Sequence, residues 1–279
     1  IAGVDQGVTR LESMMTGNTT VRIIPDRRHA PIDFAVLPRS GATTRFRTMC
    51  SSCHLRELCL PCSGLSRSEK DVADRMVYTR LRVPRGESLY HAGDRFSSLY
   101  VVRDGFFKSV AMIENRRHQV TGFSMAGEVL GLDGIWPERH TCSTIALDDS
   151  EVCGIPYARL QEFAQGIPIL QHQLIKAMSR EIVREHRVML LLGSMSADER
   201  LAMFLLDLSR RFAARGDSPS EFRLCMTREE IGSYVGLTLT TVSRTFSKFH
   251  DEGLIGVRQK FIRILDTARL ERLMRCERD

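Results

Sequence analysis

Thr227-Arg-Glu-Glu-Ile-Gly-Ser-Tyr-Val-Gly-Leu-Thr-Leu-Thr-Thr-Val-Ser-Arg-Thr-Phe246 reads as two short helices around a turn. Gly232 is small where two helices cross closely, Gly236 permits the turn, and Val242 anchors the second helix to the first. Thr240, Thr241, Ser243 and Arg244 are then left near the start of the second helix, where side chains meet base edges in the major groove. Arg244 suits guanine O6 and N7 in bidentate fashion, while Lys248 and, further on, Arg258, Lys260 and Arg263 suit phosphates. The stretch therefore predicts a unit that reads double-stranded DNA. The alternative is a helix pair in an unrelated core.

Upstream of it there is no proline from 169 to 218, and the pattern is helical. Ile175, Met178, Ile182, Glu185, Met189 and Leu192 alternate spacings of three and four, the rhythm of a coiled-coil seam, so a long helix is expected to pair with its copy in a homodimer. Ser196 with Glu199 forms a capping-box pattern that opens the next helix, and Arg215-Gly-Asp-Ser-Pro219 closes it. A hairpin-like stretch runs from Leu254 to Leu265. Between Val77 and Ile155, short β-type runs punctuated by glycines at 86, 93, 105, 122, 127, 131, 134 and 154 predict a β-sandwich or barrel. Residues 1 to 48 have no sustained period and read as an extension.

At 279 residues the chain has room for roughly two domains at about 150 residues each. A net charge of +6 permits nucleic-acid binding without requiring it, and the bias of only five lysines among 40 basic residues is as readily a matter of base composition. The apolar runs, such as Val188 to Leu192, are far too short to span a bilayer, and no basic head precedes an apolar stretch at the start; both point to the cytoplasm. There is no GxGxxG strand-to-helix fingerprint, P-loop, catalytic triad or paired-carboxylate pattern, so a non-enzyme is expected.

Four of the eight cysteines lie together as Cys50-x2-Cys53-x5-Cys59-x2-Cys62. In a reducing compartment such a cluster is a metal or redox site rather than a disulfide frame. The five-residue gap is shorter than the 15 or more usual between the two pairs of a zinc ribbon, which favours an iron–sulfur cluster. Zinc and a thiol redox switch stand as alternatives, with an iron–sulfur electron-transfer protein further off. Taken singly, Cys142, Cys153, Cys225 and Cys276 read as small buried hydrophobes.

Cys50-Ser-Ser-Cys53-His-Leu-Arg-Glu-Leu-Cys59-Leu-Pro, Thr121-Gly-Phe-Ser-Met-Ala-Gly-Glu128, Ser150-Glu-Val-Cys153-Gly-Ile-Pro and Glu221-Phe-Arg-Leu-Cys-Met-Thr-Arg228 together resemble the FNR branch of the Crp/Fnr transcription regulators, over about residues 49 to 265. The resemblance implies an α+β chain. It would hold an extension (1–48), a cysteine-rich segment (49–63), a cyclic-nucleotide-binding-type β-roll or jelly roll (64–166), a dimerisation helix (167–195) and a winged helix-turn-helix (196–279). It also implies an oxygen-labile 4Fe–4S cluster on Cys50, Cys53, Cys59 and Cys153, with oxygen dismantling the cluster and anaerobic conditions favouring a dimer on a palindromic operator. Cys62 is not required by that pattern; replacement of Cys153, a spare thiol and an inert residue are its three readings.

Several positions refine the comparison. Glu185 sits on the seam between Ile182 and Met189, so two copies bring carboxylates together; the pair Ile182 and Glu185 forms an expected dimer switch, the alternative being a rotated seam with Glu185 solvated. Gly127-Glu128 matches the start of the family's nucleotide-phosphate cassette, but the downstream run is His140-Thr-Cys142 with Arg139 displaced by one position, so no cyclic nucleotide is expected. Thr240 stands where the FNR branch usually has Glu, which leaves the operator sequence open. Arg116-Arg117 stands where relatives present acidic or small residues to RNA polymerase, the expected protein partner.

Overall fold

The computed structural model describes residues 45–46, 53, 55, 60, 79–113 and 117–274. All belong to the second of two units, which begins at Val36; the first, Ile1–Ala35, lies outside the described residues. Two antiparallel sheets make a β-roll. The first has the order β1 (Arg45–Phe46), β2 (Thr79–Val83), β9 (Ser150–Pro156), β4 (Ser98–Asp104) and β7 (Val129–Leu130). The second runs β3 (Ser88–Tyr90), β8 (Ser143–Ala146), β5 (Phe106–Ile113) and β6 (Arg117–Met125). β1 pairs with β2, so the sheet reaches back into the stretch 1–48 read as an extension and ties down its end. Alternation puts Leu81, Tyr100, Val102 and Val152 into the roll and leaves Arg80, Arg82 and Glu151 on the other face.

Helix α1 (Tyr157–Gly166) leads into α2 (Pro168–Ser194), whose entry has proline in the first turn, where the missing N–H costs nothing. Helix α3 (Ala197–Ala214) opens with the expected capping box: the Ser196 side chain accepts from Glu199 N and Glu199 returns the bond. A three-stranded sheet, β10 (Glu221–Arg223), β12 (Phe261–Ile264) and β11 (Ile255–Arg258), flanks α4 (Arg228–Val235) and α5 (Leu239–Asp251), and α6 (Thr267–Met274) closes the fold. The observed class is α+β: β-roll, long helix, winged helix-turn-helix.

The boundary expected between β-roll and DNA-reading unit is not a gap in packing. One core takes Phe106, Val110, Phe123 and Met125 from the second sheet together with Leu191 of α2, Leu201, Phe204 and Phe212 of α3 and Ile231, Phe246 and Ile262 beyond. Ion pairs cross the same boundary, Lys108 Nζ to Glu230 Oε1 at 2.6 Å and Arg223 to Asp148 at 2.8 Å. Among the described residues no helix is long and apolar enough to cross a membrane.

Candidate functional site

The DNA-reading surface is built by local rules. Thr227 and Glu230 form a second capping box at the start of α4, with the same three-residue spacing as Ser196 and Glu199. Gly236 ends α4 in the left-handed conformation at φ 68, and a Cβ on Gly232 would fall 2.5 Å from the Leu237 carbonyl oxygen; both glycines do what the spacing predicted. Thr238 caps α5 through Thr241 N at 3.2 Å. Val242, Phe246 and Phe249 are buried, which turns Thr240, Ser243, Arg244 and Lys248 outward, with Thr241 half-buried beside them. Lys248 is not a bare cation: its ammonium lies 2.5 Å from Asp198 Oδ2, and that hydrogen bond and charge raise its pKa. Arg228, a residue missed in the sequence, stacks its guanidinium over the Phe246 ring at 3.2 Å, and burial lowers it to about 10.

The cysteine site is partly described. Cys50, Cys59 and Cys62 lie outside the described residues, as do residues 114–116 and the Arg117 side chain. Cys53 is buried with Leu55 and Leu60 in the core of the first sheet, against which half-buried Cys153 also packs. Arg103 Nη1 donates to Cys53 Sγ at 3.5 Å. The same guanidinium lies 3.8 Å from Glu151, two residues before Cys153 on the same face of β9, and Arg80 stands directly across from Cys153 on β2. Arg80 Nε and Arg82 Nε donate to the Glu151 carboxylate at 2.7 and 3.0 Å. Burial alone would push the Glu151 carboxyl up; the hydrogen bonds and charges of Arg80 and Arg82 outweigh that and hold it below its usual range.

The remaining described thiols have the opposite surroundings. Cys225 donates to Asp148 Oδ2 at 3.3 Å, and burial together with that carboxylate pushes its thiol up to about 12. Burial also pushes the Cys142 thiol up. Neither favours the thiolate a metal requires. Cys53 and Cys153 fit soft metal ligands: the Cys53 sulfur accepts from a guanidinium, and Cys153 is the strand-pair neighbour of Arg80, whose own guanidinium is engaged by Glu151. Among the described residues no three His, Cys, Asp or Glu side chains converge on a metal position.

A third constellation joins the parts. Glu128, from the Gly-Glu turn, accepts from Arg211 Nε at 2.8 Å and Nη2 at 2.7 Å, while Arg184 Nη1 of α2 stands 3.6 Å away. Both arginines also donate to the Phe123 carbonyl, at 2.7 and 3.4 Å. Arg139 turns away to the Gly93 carbonyl at 2.8 Å. The outward face of α2 carries Ile175, Met178, Ile182, Met189 and Leu192, all exposed, with Glu185 among them.

Comparison with known proteins supplies the decisive observation. A Crp-like helix-turn-helix domain matches residues 199–273 and a cyclic nucleotide-binding domain matches residues 80–166. The transcriptional regulatory protein btr of Bordetella pertussis is 44% identical over 81% of this chain and 93% of its own. The fumarate and nitrate reduction regulatory protein of Escherichia coli is 40% identical over 80% of this chain and 89% of its own. The chain is an FNR-type member of the Crp/Fnr family. Crp/Fnr proteins of this type are DNA-binding transcription regulators, and the exposed face of α5 accords with that. The solved structure of FixK2 from Bradyrhizobium japonicum agrees in fold, with a TM-score of 0.65 and 30% identity over 70% of this chain and 96% of that one.

Proposed function

We propose that this FNR-type chain is an oxygen-responsive transcription regulator acting in the cytoplasm as a homodimer on a palindromic operator, and that it regulates RNA polymerase rather than catalysing a reaction. Cys50, Cys53, Cys59 and Cys153 would hold a 4Fe–4S cluster. The observation that carries this reading is the buried Cys53 sulfur, which accepts from Arg103 beside the strand that bears Cys153. When bound, such a cluster supplies an oxygen-labile tie between the cysteine segment and β9. The chain's own residues do the rest. β9 runs straight into α1 and then α2, so the position of Cys153 bears on the helix whose outward face awaits a copy. Ile182 and its neighbours pack across the seam, while Glu185 opposes pairing through carboxylate repulsion. Two copies present two α5 helices to half-sites about one helical turn apart. Thr240, Thr241, Ser243 and Arg244 meet base edges; Lys248 meets phosphate once it exchanges Asp198 for DNA.

Support for the absence of a cyclic-nucleotide effector comes from Glu128, whose carboxylate is already engaged by Arg211 and Arg184, and from Arg139, which faces Gly93. The test is anaerobic purification with the absorption spectrum and iron and sulfide content, repeated after air exposure. Stoichiometric iron and sulfide that disappear in air are expected; a colourless protein without them would falsify the cluster and favour zinc or a thiol switch. Arg244→Ala should weaken binding to a selected duplex by about 1–3 kcal/mol and relax preference at one base pair.

A further inference from the structure

We infer that Arg200 is a positioning residue for operator reading: its guanidinium fixes the turn of the reading unit to the end of the seam helix, and so sets the spacing at which two copies meet their half-sites. The inference rests on the homodimer reading above and adds to it what aligns each α5 with the seam.

The joint between α2 and α3 is two residues long, Met195 and Ser196. Arg200, at the start of α3, spans it. Its Nε donates to the Met195 carbonyl at 2.8 Å and its Nη2 to the Leu192 carbonyl at 3.0 Å, while Nη1 donates to the Val235 and Gly236 carbonyls at 3.2 and 3.3 Å. Carbonyls in the last turn of α2 and of α4 have no partner within their own helices, and both helix ends carry partial negative charge. A planar fork of fixed donors bridges two such ends in one geometry, which a flexible ammonium does not hold.

Packing closes the same place. A Cβ on Gly236 would fall 2.6 Å from Leu192 Cδ2 and 3.0 Å from Arg200 Nη1, so the turn lies directly against the last residue of the seam. Leu192 therefore serves two contacts: it is 41% exposed on the stripe that awaits a copy, and it touches the turn that leads into α5. From the same end of α3, Asp198 accepts from Thr245 Oγ1 at 3.4 Å and from Lys248 at 2.5 Å, which holds α5 to the joint as well.

Stability alone does not call for this clasp. The bonds to Leu192 and Gly236 lie at the surface, where water would satisfy those carbonyls. What four converging bonds add is a fixed angle between the seam and α5. A dimer that reads two half-sites needs that angle to be the same in both copies, because one base pair more or less between them moves a half-site by about 3.4 Å and turns it by about 34°.

The experiment uses the full chain purified without oxygen, comparing parent, Arg200→Met and Arg200→Lys. Binding is measured on a selected operator, on the same operator with its centre one base pair longer or shorter, and on one altered at the base pair that Arg244 reads; sedimentation gives the oligomeric state. The parent should prefer the selected spacing. Arg200→Met should stay dimeric and keep its base preference, but its preference for the selected spacing should fall about tenfold, the scale of one lost hydrogen bond to a charged group. Arg200→Lys should fall between it and the parent, and carries the same comparison if Arg200→Met does not fold. Weaker binding to every duplex by a common factor, or loss of pairing, marks a merely structural residue and overturns the inference. A parent that binds one half-site as tightly as two overturns the homodimer reading and the inference with it, and shows this without any variant.

Discussion

Helix α2 has two faces that obey different rules. One is anchored by its own chain: Leu170 is 0% and Leu191 2% exposed, Leu174 and Val188 are half-buried, and Arg184 reaches Glu128 and the Phe123 carbonyl. On the other, Ile182 is 51% and Met189 64% exposed, in a row with Ile175, Met178 and Leu192. A contiguous apolar stripe of this kind marks an interaction surface rather than chance exposure. The difference teaches that α2 is held by its own chain along one face while the stripe is left uncovered by the described residues. Pairing and folding should therefore be separable.

Substitutions ranked by their cost to the single chain should fall in reverse order by their effect on pairing. Leu170→Ala opens a cavity in the anchored face and should cost about 2–5 kcal/mol of stability, seen as a lowered Tm, without altering the association of the folded fraction. Glu128→Gln removes one side of the clasp and should cost about 1.5–3 kcal/mol. Burial pushes the Glu128 carboxyl up, but Arg211 and Arg184 prevail and hold it below its usual range, so its contribution is complete above the unfolded carboxyl value of about 4.3 and is lost as pH falls through the lower folded value. Melting from pH 7 downward should then show a shallower acid loss in Glu128→Gln than in the parent; identical slopes would remove the clasp from the account.

On the outward face, Ile182→Glu should change the melting of the single chain by no more than about 0.5 kcal/mol and yet leave the anaerobic protein monomeric by sedimentation. Glu185→Ala should cost the chain least of all and promote pairing, giving a dimer that binds DNA in air. Equal oxygen sensitivity in Glu185→Ala and the parent would break the proposed switch, and a Tm loss in Ile182→Glu matching that of Leu170→Ala would break the separation of the two faces.

Much of this organisation was legible because its causes are local. The α3 capping box needs only Ser196 and Glu199, the helix-turn-helix needs Gly232 and Gly236 at fixed offsets, and the outward stripe follows a repeat within one helix. The parts that escaped depend on residues distant in sequence. β10 is three residues long and becomes a strand by pairing with β12. The Glu128–Arg211 pair and the Arg103 bond to Cys53 join segments with no common period. Lys248 read as a free phosphate contact because Asp198, its partner, lies in another helix. Cys153 looked unremarkable alone, and only family resemblance raised it above Cys142 and Cys225; the structure adds that arginines surround its strand while Asp148 holds the Cys225 proton.

By itself the sequence determined the order of elements, the reading helix and the stripe on α2, because caps, turns and helical periods are set by residues within a few positions of one another. Only the tertiary structure decided which charges meet: that Glu128 is clasped by Arg211 and Arg184, that one core runs from the β-roll into the DNA-reading unit, and that Cys53 lies under Arg103 beside the strand of Cys153. Electrostatic partners are fixed by distance in space, and spacing along the chain carries no record of that distance until the strands have paired and the helices have packed.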